Sequence, residues 1–253
     1  MGTTMDVHVA NQFSTMVQKV ILTCEHAGNR VPTEYAKLFQ GKQHVLDGHR
    51  GWDPGSVELG KTFKRRLKAP LFCAHFTRLL VEPNRSIGHC RLFSEFTRDL
   101  DDETKQTLLN RYYHPHRNQV KSWITDQTAA DHFVIHLSLH TFTPKLNGQL
   151  RTADVGLLYD PRRSQERKFS DAWRTSLIEL RPDLRVRRNY PYLGSADGFT
   201  TYLRKQMPQH LYAGIELEVN QNWPRNKDQS WRTLQINLAE SFAEAMQNCR
   251  TIA

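Results

Sequence analysis

The sequence has few cysteines and no long apolar run. Its 253 residues include only four cysteines: Cys24, Cys73, Cys90 and Cys249. No two of them have the C-x-x-C spacing of a zinc-binding or thiol redox motif. No apolar stretch approaches the roughly 20 residues that a membrane span needs, and the first 16 residues lack the apolar segment of a secretory signal. We therefore expect free thiols and a cytoplasmic location.

Local catalytic motifs are also missing. The chain contains no H-E-x-x-H, no G-x-S-x-G, no P-loop and no G-x-G-x-x-G that opens a helix. The formal charge of +9 favours anionic partners, either small carboxylates or nucleic acid. Basic residues in 61–68 and 181–188 could contact phosphates, but basic residues are scattered and no nucleic-acid-binding motif is present. A nucleic-acid-binding module is therefore kept as an alternative, and nucleic acid is the less expected partner.

Strand-like and helix-like segments alternate along the chain. The predicted strands are 17–24, 70–76, 132–139, 155–159, 184–188 and 212–219. The predicted helices are 33–39, 55–68, 101–129 with an interruption at Pro115, 164–180, 198–206 and 229–250. This alternation predicts one α/β domain, residues 17–253, with a sheet covered on both faces, after a loose tail of residues 1–16.

Polar residues collect where predicted strands end, which is where ligands gather in α/β sheets. Glu25 and His26 follow the first strand, and His140 follows the third. In the late strand, Glu216 and Glu218 share one face, where two carboxylates are costly to bury without a cation or water. These residues predict a zinc site with a carboxylate as general base, although the two glutamates could equally line a solvated sheet edge.

Other histidines have a simpler interpretation. A lone histidine is more often a hydrogen-bonded core or surface residue than a metal ligand. We place four histidines in that class: His49, His75, His89 and His136.

Several segments, taken in order, resemble the motifs of the N-formylglutamate amidohydrolase family. They are EHAGNRVP, HRGWDPG, TRLLVEPNRS, SLHTFTP, NYPYLGSADGFTTYLR and GIELEVNQ. This family is similar to zinc carboxypeptidases and aspartoacylases. The resemblance implies a three-layer α/β/α domain with a mixed, largely parallel sheet and one zinc ion per chain. It also implies hydrolysis of the amide of an N-acyl, N-formylglutamate-like amino acid, which is a small anionic substrate.

The resemblance implies His26 and His140 as zinc ligands. The carboxypeptidase-like pattern has a glutamate three residues after the first histidine, where this chain has Asn29. Asp53 resembles the acid that takes the place of this glutamate as the third zinc ligand, and Glu25 is the alternative third ligand.

The same resemblance implies roles for residues around the metal. Glu218 matches the general base, with Glu216 as the second choice. Arg78 is expected to bind a second carboxylate or to polarise the scissile carbonyl, and a structural salt bridge is the alternative. The pair Asn84 and Arg85 matches the residues that hold a substrate carboxylate, for which the planar guanidinium is well suited.

Tyr192 lies in segment 189–197, which is expected to form a lid or pocket wall that contacts the substrate. The chain departs from well-known members in two places. Gln221 stands where they have arginine, and EHAG stands where they have PHSG. We therefore expect a side branch of the family, and a member that only binds a ligand is a further alternative.

Overall fold

The structure is a computed structural model that describes residues 16–226 and 228–251. Residues 1–15 of the predicted tail lie outside the described residues, whereas Met16 packs against the largest hydrophobic cluster. The strands are β1 (Gln18–Cys24), β2 (Leu71–Cys73), β3 (Phe133–Phe142), β4 (Lys145–Leu146), β5 (Gln149–Leu150), β6 (Val155–Leu158), β7 (Val186–Arg188) and β8 (Tyr212–Asn220).

Helices separate most of these strands. They are α1 (Gln43–Leu46), α2 (Ser56–Leu67), α3 (Asp102–Leu108), α4 (His114–Ala129), α5 (Ser164–Leu180), α6 (Phe199–Arg204), α7 (Asn222–Asn226) and α8 (Gln229–Thr251). Thr33–Phe39 is a 3-10 helix, and a π-helical turn, Leu109–Tyr113, joins α3 to α4. Pro115 is the second residue of α4, so the helical path continues across the proline instead of being interrupted there. None of the described helices is long and apolar enough to cross a membrane.

Six strands form one sheet in the order β2-β1-β3-β8-β6-β7. Every neighbouring pair is parallel except β6 and β8, which are antiparallel. The sheet is therefore mixed and mostly parallel, as predicted. The sequence patterns did not predict α1, α7 or the separate hairpin of β4 and β5.

Helices cover both faces of this sheet. On one face, α2, α5 and α8 bury an aromatic group that includes Phe63, Trp173 and Phe242. On the other face, α4 and α6 pack around Ile124 and Phe199. Both sets of side chains are almost completely buried, which excludes water from both sides of the central strands. This arrangement confirms the predicted three-layer α/β/α architecture.

Two strand ends differ from the sequence-based prediction by three residues, and the other strand boundaries differ by at most two. β3 continues past Leu139 to Phe142, because it stays paired with β8 as far as the contact between Phe142 and Asn220. His140 therefore lies inside the strand and not after it, which corrects the prediction. β2 is shorter than predicted and ends at Cys73.

The segment after β2 stays close to the segment after β1. Ala74 donates a backbone hydrogen bond to Cys24, and Ala27 donates one to Ala74. A Cβ atom at Gly28 would lie 2.5 Å from the carbonyl oxygen of His75, so this close approach requires glycine. The contact fixes the loop that carries His26 against the edge of the sheet.

Candidate metal centre and active site

Three buried side chains converge at the carboxyl ends of the central strands. His26 follows β1, His140 lies near the end of β3, and Asp53 lies in the loop before α2. Nδ1 of His140 is 2.9 Å from Oδ2 of Asp53 and 3.1 Å from Nδ1 of His26. Nδ1 of His26 is also 3.1 Å from Oδ2 of Asp53. We call these residues the His26–Asp53–His140 cluster, and its ligand atoms lie close enough together to hold one metal ion.

The outer nitrogen of His26 contacts a carboxylate. Its Nε2 lies 2.6 Å from Oε1 of Glu82. An ionised carboxylate only accepts hydrogen bonds, so this nitrogen carries the hydrogen of the neutral ring. Arg78 donates from Nε to the other oxygen of Glu82 at 2.6 Å, and its Nη1 lies 3.5 Å from Oδ1 of Asp53. Glu82 and Arg78 therefore hold His26 and Asp53 in place.

The outer nitrogen of His140 contacts a hydroxyl. Oγ of Ser138 donates to Oε2 of Glu25 at 2.6 Å and lies 2.8 Å from Nε2 of His140. A hydroxyl has a single hydrogen, so Nε2 of His140 must be the donor in the second contact. In the neutral rings of both histidines the hydrogen is then on Nε2. The lone pairs on the two Nδ1 atoms face each other and Asp53.

The acids of this centre are held in their ionised forms. Burial raises the pKa of Asp53, but His26 and His140 outweigh it and hold the pKa below its usual value. Burial also raises the pKa of Glu82, and the charge of Arg78 together with the hydrogen bond from His26 lowers it further than burial raises it. The centre therefore carries negative charge beside two imidazoles.

Glu218 has a different environment. It is the neighbour of His140 in the β3–β8 pairing, it is buried, and its Oε2 has no hydrogen-bond partner among the described residues. Burial raises the pKa of Glu218 to about 8. Glu216 is held instead by the hydroxyl of Thr200, which donates to its Oε1 at 2.5 Å. Glu218 is therefore the carboxyl group that is free to exchange a proton.

A cavity of about 390 Å³ opens beside the cluster. The preferred site residues predicted from the sequence line it: His26, Asp53, Arg78, Asn84, Arg85, His140, Tyr192 and Glu218, with Glu216 as the alternative base. Glu25, the alternative ligand, is not among the lining residues. Oδ1 of Asn84 accepts a hydrogen bond from the backbone of Phe199 at 2.7 Å, and Arg85 donates to the carbonyl of Asp197. The structure thus brings residues from six segments of the chain to one cavity.

Segment 189–197 forms a fixed wall of this cavity. A Cβ atom at Gly194 would overlap the backbone nitrogen of Tyr159, so the segment lies directly on the chain after β6. The carboxylate of Asp197 accepts a hydrogen bond from Oγ of Ser86 at 2.5 Å. Tyr192 and Leu193 are 47% and 64% exposed at the cavity mouth. The wall therefore offers two apolar side chains to a ligand.

Sequence reasoning missed the contacts that orient the two histidines. Glu82 lies within TRLLVEPNRS, and its signal in the sequence was an acid directly after the apolar run 79–81 and two residues before Asn84. Glu25 contacts His140 on its Nε2 side, away from the Nδ1 atom that faces the cluster. His49 lines the cavity, although its sequence context predicted an ordinary hydrogen-bonded core or surface histidine. His136 is a hydrogen-bonded core histidine, as interpreted from the sequence.

Comparison with known proteins agrees with the fold and the motifs. The sequence profile of the N-formylglutamate amidohydrolase family matches residues 18–223. This chain belongs to that family. The match confirms the resemblance seen in the sequence. Family membership and fold together support a hydrolase that acts on amide bonds. No curated protein sequence matches this chain.

Two solved structures are similar to this chain. A gene product from Agrobacterium tumefaciens is 25% identical, with a TM-score of 0.79 and coverage of 93% of each chain. An N-formylglutamate amidohydrolase from Ralstonia eutropha is 18% identical, with a TM-score of 0.68. The latter alignment covers 93% of this chain and 95% of that chain, and it shows the fold.

Proposed function

We propose that this chain is a zinc-dependent amidohydrolase that cleaves the amide of an N-acyl, N-formylglutamate-like amino acid. The observation that carries the proposal is the convergence of two Nδ1 atoms and Oδ2 of Asp53 beside a buried carboxyl group. Three acceptor atoms about 3 Å apart repel one another unless a cation or protons lie between them. Two imidazoles and one carboxylate are ligands that zinc takes in catalytic sites.

The charges around the cluster fit a divalent cation. Three carboxylates have lowered pKa values and are ionised: Glu25, Asp53 and Glu82. One guanidinium, that of Arg78, lies among them. Asp53 and Glu25 raise the pKa of His140, so zinc would take the place of the proton on that ring and leave both imidazoles neutral. Three carboxylates and one guanidinium then leave two negative charges, which one Zn²⁺ ion would neutralise. We therefore assign His26, Asp53 and His140 as the proposed zinc ligands.

Zinc bound there would supply a water of lowered pKa and a Lewis acid for the amide carbonyl. Glu218 is the proposed general base. Its unpaired Oε2 would accept a proton from the attacking water and return it to the nitrogen of the departing amine. A pKa close to neutrality suits a group that both accepts and donates a proton. Hydrolysis then releases a carboxylate and an amine.

Substrate binding is proposed for residues on the outer side of the cavity. Arg85 and Asn84 would hold a substrate carboxylate, and Tyr192 would cover the bound molecule. The guanidinium of Arg78 is already bound to Glu82, which favours the structural salt bridge over direct contact with substrate. We propose that Arg78 acts on the reaction through the residues that it holds. A cytoplasmic location is also kept as a prediction, which four free cysteines support.

The replacement Glu218→Gln tests this function. We expect the variant to keep stoichiometric zinc and to hydrolyse N-acyl amino acids about 10²- to 10⁴-fold more slowly, because the proton acceptor is lost. The matched control is Glu216→Gln, one pleat away on the same face of β8, which should retain most activity. Metal analysis and a panel of N-formyl and longer N-acyl amino acids provide the measurements.

Equal hydrolysis by Glu218→Gln and the unmodified protein would contradict the assigned base. Loss of activity only in Glu216→Gln would transfer the role to that residue. A zinc-loaded protein that hydrolyses none of the panel, yet binds its members, would favour a family member that only binds a ligand.

A further inference from the structure

Glu25 is a fully buried carboxylate without an arginine or lysine partner in the described part of the chain. It contacts a hydroxyl and two imidazoles instead. Oε2 accepts the hydrogen bond from Ser138 at 2.6 Å and lies 3.3 Å from Nε2 of His140. Oε1 lies 3.8 Å from Nε2 of His116. Burying an ionised carboxylate is costly, so this environment needs an explanation.

The contacts determine which nitrogen of His140 carries the hydrogen. Because Glu25 takes the hydroxyl hydrogen of Ser138, Oγ of Ser138 can only accept from His140. With an amide in place of the Glu25 carboxylate, the NH2 group could donate to Ser138, and the hydroxyl could then rotate and donate to His140. The imidazole would then place its hydrogen on Nδ1, which faces Asp53 and His26. A protonated Nδ1 has no lone pair for a metal ion.

We propose that Glu25 is a positioning residue of the metal centre, which acts through Ser138 to keep Nδ1 of His140 free for the cation. This inference rests on the proposed zinc site. It gives each histidine its own buried carboxylate, since Glu82 contacts His26 directly. Carboxylates behind metal-bound histidines fix the orientation and the tautomer of the ring.

The geometry separates this role from direct metal binding. The oxygens of Glu25 lie beside Nε2 of His140, whereas the cluster converges on Nδ1. Glu25 is also absent from the group of ligand atoms that lie within 4.8 Å of one another. Its position therefore suits an orienting contact, and the alternative zinc ligand considered from the sequence is replaced by this role.

The test compares Glu25→Gln and Ser138→Ala with a matched control. Glu166→Gln serves as the control, because Glu166 is equally buried and its Oε1 accepts a hydrogen bond from Arg204 at 2.8 Å, outside the cluster. The dissociation constant for zinc is measured on the full chain by competition with a chromophoric chelator. We expect zinc to bind about 10- to 100-fold more weakly to Glu25→Gln and Ser138→Ala, and with unchanged affinity to Glu166→Gln.

Two further readouts separate positioning from general damage. Ring ¹⁵N shifts of the zinc-loaded protein should show a hydrogen on Nε2 of His140 in the unmodified protein and a changed signal in both variants. The double variant should bind zinc no more weakly than the weaker single variant, because Glu25 acts through Ser138. Ser138→Ala removes only one oxygen, so it decides the question if Glu25→Gln does not fold.

Unchanged zinc affinity and ring shifts in Ser138→Ala and Glu25→Gln would overturn the inference while leaving the zinc site intact. Complete loss of zinc in Glu25→Gln, with unchanged affinity in Ser138→Ala, would overturn it in favour of a direct ligand. Failure of the unmodified protein to bind stoichiometric zinc would instead remove the proposed metal centre itself.

Discussion

His136 and His140 share one face of β3 and are both buried, yet their surroundings differ in charge. Nε2 and Nδ1 of His136 each lie 2.8 Å from a hydroxyl, that of Thr23 and that of Tyr212. Burial lowers the pKa of His136 to about 4. Burial also disfavours the charged form of His140, but Asp53 and Glu25 raise its pKa well above the usual value. The two residues have the same type and lie on the same face of β3, so the neighbouring charges account for the difference between their pKa values.

The position along the strand explains the difference. His136 lies in the middle of the sheet, where the ring of Phe199 covers it at 5.9 Å between centroids. His140 lies at the end of the sheet, where the loops that carry Asp53 and Glu82 can reach it or its partners. In the covered middle of the sheet, His136 is hydrogen-bonded to uncharged hydroxyls. At the end of the sheet, loops from distant segments bring carboxylates close to His140.

The largest expected effect contrasts His140→Gln with His136→Gln. Loss of a direct ligand should abolish stoichiometric zinc binding in His140→Gln, beyond the roughly 10- to 100-fold loss expected for an orienting residue. His136→Gln should keep its zinc, because neither ring nitrogen faces the cluster. Metal analysis after purification without chelator measures both. Equal loss of zinc in the two variants would contradict the claim that His140 binds the metal and His136 does not.

The pH dependence of stability should be opposite for the two histidines in the metal-free protein. Between about pH 6.5 and pH 4 the unfolded chain binds a proton that folded His136 does not. The free energy of unfolding should therefore fall by about 3 kcal/mol over that range as the pH decreases. His140 has a raised pKa, so its contribution is present below about pH 6.5 and is lost as the pH rises through its folded value.

Urea unfolding at several pH values between 4 and 9 sharpens this contrast. His136→Gln should flatten the loss of stability on the acid side, and His140→Gln should flatten the loss on the alkaline side. Parallel pH profiles in the two variants would show that the two sites titrate alike and would contradict the difference in their surroundings.

The smallest effect is expected for Tyr212→Phe. The variant removes the hydroxyl that contacts Nδ1 of His136 and leaves that nitrogen buried without a partner. We expect a loss of about 1–2 kcal/mol in the free energy of unfolding and unchanged zinc affinity. A clear loss of zinc affinity would show that the centre of the sheet and its end are coupled.

Much of the fold followed from patterns in the sequence. Apolar runs separated by amphipathic segments predicted an α/β sheet covered on both faces. The resemblance to the family implied that the sheet is mixed and largely parallel. His136 and His140 lie four residues apart in β3, so period-two alternation puts them on one face of the strand. The same alternation could not distinguish them, because it specifies only the face of a side chain and not its neighbours. The end of β3 was also missed, because pairing with β8 extends the strand past Leu139.

By itself, the amino-acid sequence determined the class of fold, the family and the set of imidazoles, carboxylates and guanidinium groups available to a site. Only the tertiary structure decided that Nδ1 rather than Nε2 of His140 faces Asp53 and that Glu25 lies behind that histidine. Hydrogen bonding and metal binding depend on separations of about 3 Å between segments far apart in the chain. Packing of the sheet and its loops sets those separations, and residue spacing along one strand does not.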